Sequence, residues 1–314
     1  MLHPGIKIGP SSWKERLQKT QAGYCEVWFN IDQKNQYLGM FQYLAKHKIN
    51  TGLHFWGTVK NRWEPNIAYP GETLQPTLKL IKQTIDIASQ YKFKYVNIHC
   101  GNRALTSLDI ENSLFIPDKS KPIIDLKTSQ EIQKRSAILL TKYARQKNVL
   151  LLIETVGAKS PLGPTTDRKS RLTPTDYFTL PVSTLINLTK TSDISVTNDI
   201  SHTFADEFDK PLAKLSNALI NKTKELAPAT KLIHINTVVP PYNGTDSHHG
   251  ITDKDFKISG IFPTRYKLKI ILSLFNNRND LWAINEPYDN HVQNYHSLQK
   301  IIEEITPIPG KKAS

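Results

Sequence analysis

Val149-Leu-Leu-Leu-Ile-Glu154 is a short apolar run that ends in a carboxylate, and the same pattern recurs along the chain. A run of this length, bounded by polar residues, is typical of a strand that is buried on both faces. Seven further runs share this character: Ile6–Gly9, Tyr24–Asn30, Thr51–Trp56, Tyr95–Cys100, Ile194–Asp199, Leu232–Asn236 and Leu281–Glu286. The sequence therefore predicts eight buried parallel strands.

Amphipathic stretches separate these runs. In Gln36–Lys48, for example, Leu38, Phe41 and Leu44 fall on one helical face. The other predicted helices are Thr73–Tyr91, Thr128–Gln146, Pro181–Thr191, Pro211–Glu225, Arg265–Asn276 and Asn294–Ile305. Alternating strands and helices predict an α/β fold with right-handed crossovers. Eight strands, with no glycine fingerprint of dinucleotide binding after the first, favour a (β/α)8 TIM barrel over an open doubly wound sheet.

The chain has 314 residues, and we expect one barrel domain over 1–314 because such barrels commonly run to about 250 residues. Long loops are predicted near 100–127, 155–179 and 237–257. Each follows the C-terminal end of a strand, which is the active-site face of a barrel. The middle loop is basic and carries Lys159, Arg168, Lys169 and Arg171.

Charge and cysteine content narrow the partners and the compartment. The formal net charge of +13 favours a polyanion such as nucleic acid, although a lysine-rich composition explains it equally well. The chain has no apolar run near the roughly 20 residues that span a bilayer, so no membrane association is expected. Two cysteines exclude a disulfide framework. They fit a reducing intracellular compartment, either the cytoplasm or, in a eukaryotic or viral setting, the nucleus.

Metal-binding side chains follow six successive predicted strands. In chain order they are His54, His99, Glu154, Asp199, His234 and Glu286. Any one of them alone is more often a satisfied interior residue than a ligand. Together they would meet at the barrel mouth, where burying several carboxylates without cations is very costly. The mixture of imidazole and carboxylate suits zinc, manganese or iron.

Two short spacings add ligand pairs. Asp199 and His202 lie three residues apart where a strand passes into a turn. Asp246 and His248 lie two residues apart and would share a face in extended chain. His249 competes with His248, and the spacing leaves this choice open.

The complete set resembles the AP endonucleases of the endonuclease IV type, within the xylose isomerase-like barrels. That family's trinuclear zinc site uses His, His, Glu, an Asp-x-x-His pair, His, an Asp-x-His pair and Glu, and this chain has the same order. Asp199-Ile-Ser-His202-Thr-Phe-Ala205 resembles the family's Asp-x-x-His-x-Phe-Ala segment, and Ile284-Asn-Glu286-Pro resembles its Leu-Glu-Thr-Pro.

The resemblance implies a role for each ligand. His54 and His99 would bind one zinc, and Glu154 would bridge it to a second that Asp199, His234 and Glu286 complete. A third zinc would be held by His202, Asp246 and His248. Glu154 and Glu286 are the expected catalytic residues. The implied activity is hydrolysis of the phosphodiester 5′ to abasic sites in double-stranded DNA, by a monomer with about three Zn²⁺, or Mn²⁺ or iron at one or more sites.

The chain also departs from the family. The first-strand histidine is missing from Ile8-Gly-Pro-Ser-Ser12, and the family's His-Pro-Gly after the fourth strand is His99-Cys100-Gly101. Gly57 occupies the position at which the family has an aromatic residue that wedges into DNA. Phe55, Trp56 or Trp63 could take over that role. The DNA contacts predicted are Trp56, Lys159, Arg168, Lys169 and Arg171; for each basic residue, ordinary surface charge is an equal alternative.

Three other functions fit parts of the pattern. A sugar isomerase or epimerase would use Glu154, Asp199, His234 and Glu286 around one metal, with His202 on the substrate. An iron-containing oxidase could use the same barrel. A basic DNA-binding barrel with a vestigial mouth would need none of the ligands.

Overall fold

The structure is a computed structural model that describes residues 2–109, 114–161, 174–176 and 178–306. Its strands are β1 (His3–Ile8), β2 (Tyr24–Asn30), β3 (Asn50–Trp56), β4 (Tyr95–His99), β5 (Thr106–Asp109), β6 (Leu114–Pro117), β7 (Leu150–Glu154), β8 (Lys159–Pro161), β9 (Pro174–Asp176), β10 (Ser195–Asp199), β11 (Thr230–Ile235) and β12 (Trp282–Asn285). Its α-helices are α1 (Trp13–Thr20), α2 (Leu38–Lys46), α3 (Leu74–Gln90), α4 (Leu126–Gln146), α5 (Val182–Thr191), α6 (Ile200–Ala205), α7 (Leu212–Leu226), α8 (Arg265–Ser273) and α9 (His291–Ile305). Two 3₁₀ segments span Ile31–Tyr37 and Asp255–Lys257.

Eight strands close into a parallel barrel in the order β1-β12-β11-β10-β7-β4-β3-β2. Each of the eight predicted apolar runs overlaps one of these strands, and helices surround them. The predicted (β/α)8 barrel is therefore confirmed. Among the described helices, none is long and apolar enough to cross a bilayer.

Two of the described α-helices were not predicted from the sequence, for different reasons. Along α1 only Leu17 and Thr20 are buried, so its apolar face is too narrow to give a periodic signal. Helix α6 has six residues, all buried, and is too short to show a period. It begins where Asp199 accepts a hydrogen bond from the backbone N–H of His202, a side-chain N-cap.

The predicted long connections hold small antiparallel pairs at the same end of the barrel. Strands β5 and β6 pair within the first, and β8 and β9 pair within the second. Residues 162–173 of the second connection lie outside the described residues. Within the third connection, Thr237 and His249 form an isolated antiparallel bridge. The 3₁₀ segment Asp255–Lys257 lies further along the same connection.

One layer of the barrel interior explains where the functional side chains stand. Tyr95, Leu152, Leu232 and Ile284 pack together inside the barrel. Side chains alternate between the two faces of a strand, so the residue two positions later on each strand also points inward. Those positions are Asn97, Glu154, His234 and Glu286. A polar layer thus lies directly on the apolar one, toward the C-terminal ends of the strands.

Candidate metal centre

The nine predicted ligands meet at the C-terminal end of the barrel in overlapping groups. Three sets have ligand atoms within 4.8 Å of one another: His54, His99 and Glu154; Glu154, Asp199, His234 and Glu286; and Asp199, His202 and His248. Asp246 joins the last set, since its Oδ2 lies 2.7 Å from Nε2 of His202 and 3.1 Å from Nε2 of His248. His248, rather than His249, faces this group.

Glu154 stands at the centre of the arrangement and is fully buried. Its Oε1 lies 2.9 Å from Nδ1 of His234, and its Oε2 lies 3.3 Å from Nε2 of His54. Asn97 donates from Nδ2 to the same Oε2 at 2.5 Å and so orients the carboxylate. Glu154 therefore belongs to two of the donor groups at once, as a bridging ligand must.

His202 has its ring orientation set by the backbone. Its Nδ1 lies 2.7 Å from the carbonyl oxygen of Thr155, which can only accept, so Nδ1 carries the hydrogen. Nε2 faces Oδ2 of Asp246 at 2.7 Å and Nε2 of His248 at 3.4 Å. Ligand atoms of a tetrahedral zinc lie about 3.3 Å apart for bond lengths near 2.0–2.1 Å. The separations of His248 from Asp246, 3.1 Å, and from His202, 3.4 Å, are close to that spacing, whereas His202 and Asp246 lie at the hydrogen-bond distance of 2.7 Å.

The buried carboxylates of the cluster need positive charge nearby to be stable in the ionised form. Burial alone would raise the pKa of Glu154, but His234 and His54 hold it well below its usual value. Burial alone would lower the pKa of His234, but Glu286 and Glu154 raise it well above its usual value. Either imidazolium protons or divalent cations can balance these buried carboxylates.

His99 differs from the other histidines. Burial lowers its pKa to about 3, with a smaller contribution from His54, although the Glu154 carboxylate opposes the shift. The imidazole is therefore neutral at physiological pH, as a metal ligand must be. Its ring packs edge-on against Trp56 at 5.0 Å.

These residues fit divalent metal ions by donor chemistry and by an unsatisfied atom. The donors are imidazole nitrogens and carboxylate oxygens, a set that suits zinc, manganese or iron. Nε2 of His54 is buried and makes no hydrogen bond to any residue in the described part of the chain. A buried polar atom left without a partner is costly.

A cavity of about 450 Å³ opens above the donor groups. The predicted DNA contacts Trp56 and Lys159 line it, whereas Arg168, Lys169 and Arg171 lie outside the described residues. Trp28 and Tyr288, each 44% exposed, also line the cavity. Trp28 stacks nearly parallel to the His54 ring and Tyr288 to the His248 ring.

Among the site residues that the sequence did not predict are Lys7, Glu26 and Trp28, and also Asn97 and Tyr288. Lys7 and Glu26 sit within apolar runs, and both are almost completely buried. The available signal was period-two spacing, because residues 24, 26 and 28 alternate on β2, so an inward Glu26 also implies an inward Trp28.

No family model and no curated protein matches this chain. Solved structures do match. An L-ribulose 3-epimerase superposes with a TM-score of 0.62 at 13% identity, covering 97% of this chain and 96% of that one. A D-tagatose 3-epimerase-like protein gives 0.62 at 11% identity, covering 96% and 98%. The chain shares the (β/α)8 barrel fold of these proteins.

Endonuclease IV from Thermus thermophilus has the same fold, with a TM-score of 0.55 at 12% identity over 96% of this chain and 98% of that one. Several other similar structures are sugar epimerases. At these identities the likeness shows the fold alone.

Proposed function

We propose that this protein is a metal-dependent endonuclease that hydrolyses the DNA phosphodiester 5′ to abasic sites, with a trinuclear zinc centre. The observation that carries the proposal is the convergence of eight ligand-type side chains in three donor groups, two of which share Glu154, with Asp246 beside the third. Their order along the chain resembles the endonuclease IV type, and an endonuclease IV is among the proteins of similar fold.

Phosphodiester hydrolysis needs an activated water and stabilisation of the charge that develops on phosphorus. Bound divalent metals would supply both, by lowering the pKa of water from about 15.7 to about 7 and by acting as Lewis acids. The protein's own part is to hold the donors: Asn97 orients Glu154, and the Thr155 carbonyl orients His202.

The cavity supports a nucleotide-sized substrate. Its volume of about 450 Å³ is within the range of small-ligand sites, and it could take one residue turned out of the duplex. Trp28 and Tyr288 offer exposed rings on which a base or sugar can stack. Lys159 and the net charge of +13 would hold the phosphate backbone of double-stranded DNA, the partner we propose.

A duplex with a single abasic analogue tests the proposal. Metal-replete protein should cut the lesion strand on the 5′ side, and chelation or His99→Ala should abolish cutting. The same duplex without the lesion is the control. If protein that binds metal normally leaves the lesion strand intact, the abasic endonuclease assignment is wrong.

A sugar epimerase or isomerase is the second candidate. Glu154, Asp199, His234 and Glu286 form a complete four-ligand group by themselves, and several proteins of similar fold are sugar epimerases. This function leaves His54, His99, Asp246 and His248 without a role. Elemental analysis separates the candidates, because about three metals per chain favour the endonuclease and about one favours the epimerase.

A further inference from the structure

Lys7 and Glu26 form a buried ion pair directly beneath the metal-binding side chains. They are paired in register on the neighbouring strands β1 and β2. Nζ of Lys7 donates to Oε2 of Glu26 at 2.8 Å, and the two residues are 1% and 0% exposed. An ion pair so deeply buried is costly to desolvate, so its presence here needs an explanation beyond stability.

Glu26 contacts His234, whose two ring nitrogens both face carboxylates. Its Oε2 lies 2.7 Å from Nε2 of His234. An ionised carboxylate only accepts, so Nε2 of His234 carries the hydrogen. Nδ1 faces Glu154 Oε1 at 2.9 Å and Glu286 Oε2 at 3.0 Å, so it is the nitrogen that a cation held by those carboxylates would meet in place of a proton. This is the carboxylate–histidine arrangement that orients imidazole ligands in metal sites.

Lys7 contacts three of the surrounding side chains. Besides Glu26, its Nζ pairs with Oε1 of Glu286 and lies 2.5 Å from Nδ1 of His54. Glu26, His54, His234 and Glu286 also have ligand atoms close enough to hold a cation, and the Lys7 ammonium lies among them. Its three hydrogens thus have three protein acceptors within reach, on Glu26, Glu286 and His54.

We propose that Lys7 and Glu26 are positioning residues for the metal centre and are not ligands. Glu26 fixes the ring of His234 so that Nδ1 meets Glu154, Asp199 and Glu286. Lys7 holds Glu26 and Glu286 in place. Its ammonium supplies the positive charge that the group of Glu26, His54, His234 and Glu286 would otherwise take from a metal ion. The inference rests on the metal centre of the proposed function and not on its DNA substrate.

Glu26→Gln is the main test, with Glu64→Gln as the matched control. Glu64 is another buried glutamate, 4% exposed, that accepts a hydrogen bond from Asn102 and belongs to none of the donor groups. Zinc affinity is measured by competition with a chromophoric chelator, and zinc content by elemental analysis. Glu26→Gln should weaken zinc binding about 10–100-fold at unchanged saturating stoichiometry. Glu64→Gln should match wild type, and Lys7→Met should shift the affinity as Glu26→Gln does.

Two results would overturn the inference. A Glu26→Gln protein that binds one zinc fewer at saturation would make Glu26 a ligand. The expected loss of zinc affinity is about 10–100-fold. If Glu26→Gln instead binds zinc within about twofold of Glu64→Gln, Glu26 has no positioning role.

Anomalous diffraction from zinc-loaded wild-type crystals gives a test that needs no variant. Zinc should lie on Nδ1 of His234, and Glu26 should bind none. Zinc on Nε2 of His234, or on Glu26, would contradict the inference. The expected affinity loss in a protein that does not cut abasic DNA would reject the proposed function and leave the inference standing. A wild-type protein without bound zinc would reject both.

Discussion

Replacing Glu154 with glutamine should empty more of the metal centre than replacing any ligand of a single group. Two of the three donor groups use Glu154. Glutamine keeps the size of the side chain and can still accept from Nδ2 of Asn97, which now lies 2.5 Å from Glu154 Oε2. It loses the negative charge that faces His234 and His54. The barrel should therefore fold while two metal sites weaken together.

The magnitude follows from that sharing. Glu154→Gln should lower the metal content from about three ions per chain to about one, and His248→Asn should lower it by about one. Incision of abasic DNA by Glu154→Gln should fall at least about 10³-fold, since loss of one preorganised charge-stabilising group alone costs about 10²–10³.

Elemental analysis after gel filtration, and single-turnover incision of a labelled abasic duplex on denaturing gels, measure the two effects. Glu64→Gln again serves as the buried-carboxylate control. A Glu154→Gln protein with wild-type metal content and an unchanged incision rate would refute the bridging role. Equal metal loss in Glu154→Gln and His248→Asn would refute the sharing of Glu154 between two groups.

Three further predictions concern the cavity and the barrel. Trp28→Ala should weaken DNA binding by about 1–3 kcal/mol in a fluorescence titration, because a stacking surface is lost. Thermal stability should change little, because the ring is 44% exposed. An unchanged DNA affinity would show that Trp28 does not contact the DNA. Lys159→Ala should reduce the slope of log K against log[salt] by about 0.9, whereas Lys224→Ala on the exposed face of α7 should not. Gly52→Ala should destabilise the fold by about 1–3 kcal/mol in urea unfolding, because a Cβ there would overlap the Tyr95 ring; a neutral effect would show that the ring moves freely.

The charged and aromatic residues that the sequence analysis missed share one feature. Lys7 and Glu26 interrupt apolar runs at single positions, and Trp28 looks like an ordinary core aromatic. Nothing local distinguishes a lone inward charge from an outward one until the register of the strand is known, because a shift of one residue reverses its face. The candidate ligands on the barrel strands were easier to find because they stand at strand ends.

The sequence by itself determined the barrel and which His, Asp and Glu side chains stand together at its C-terminal end. Eight buried runs alternating with amphipathic helices leave few ways to close a sheet, and residues at the C-terminal ends of parallel strands must meet at one face. Both conclusions depend only on periodicity and on chain order.

Tertiary structure decided how those side chains are shared and supported. That Glu154 faces two donor groups, that His248 rather than His249 joins Asp246, and that Lys7 and Glu26 lie behind His234 all depend on strand register and on the conformation of one loop. These relations bring residues that are distant in sequence into direct contact. No local pattern encodes them, because they exist only once the barrel has closed.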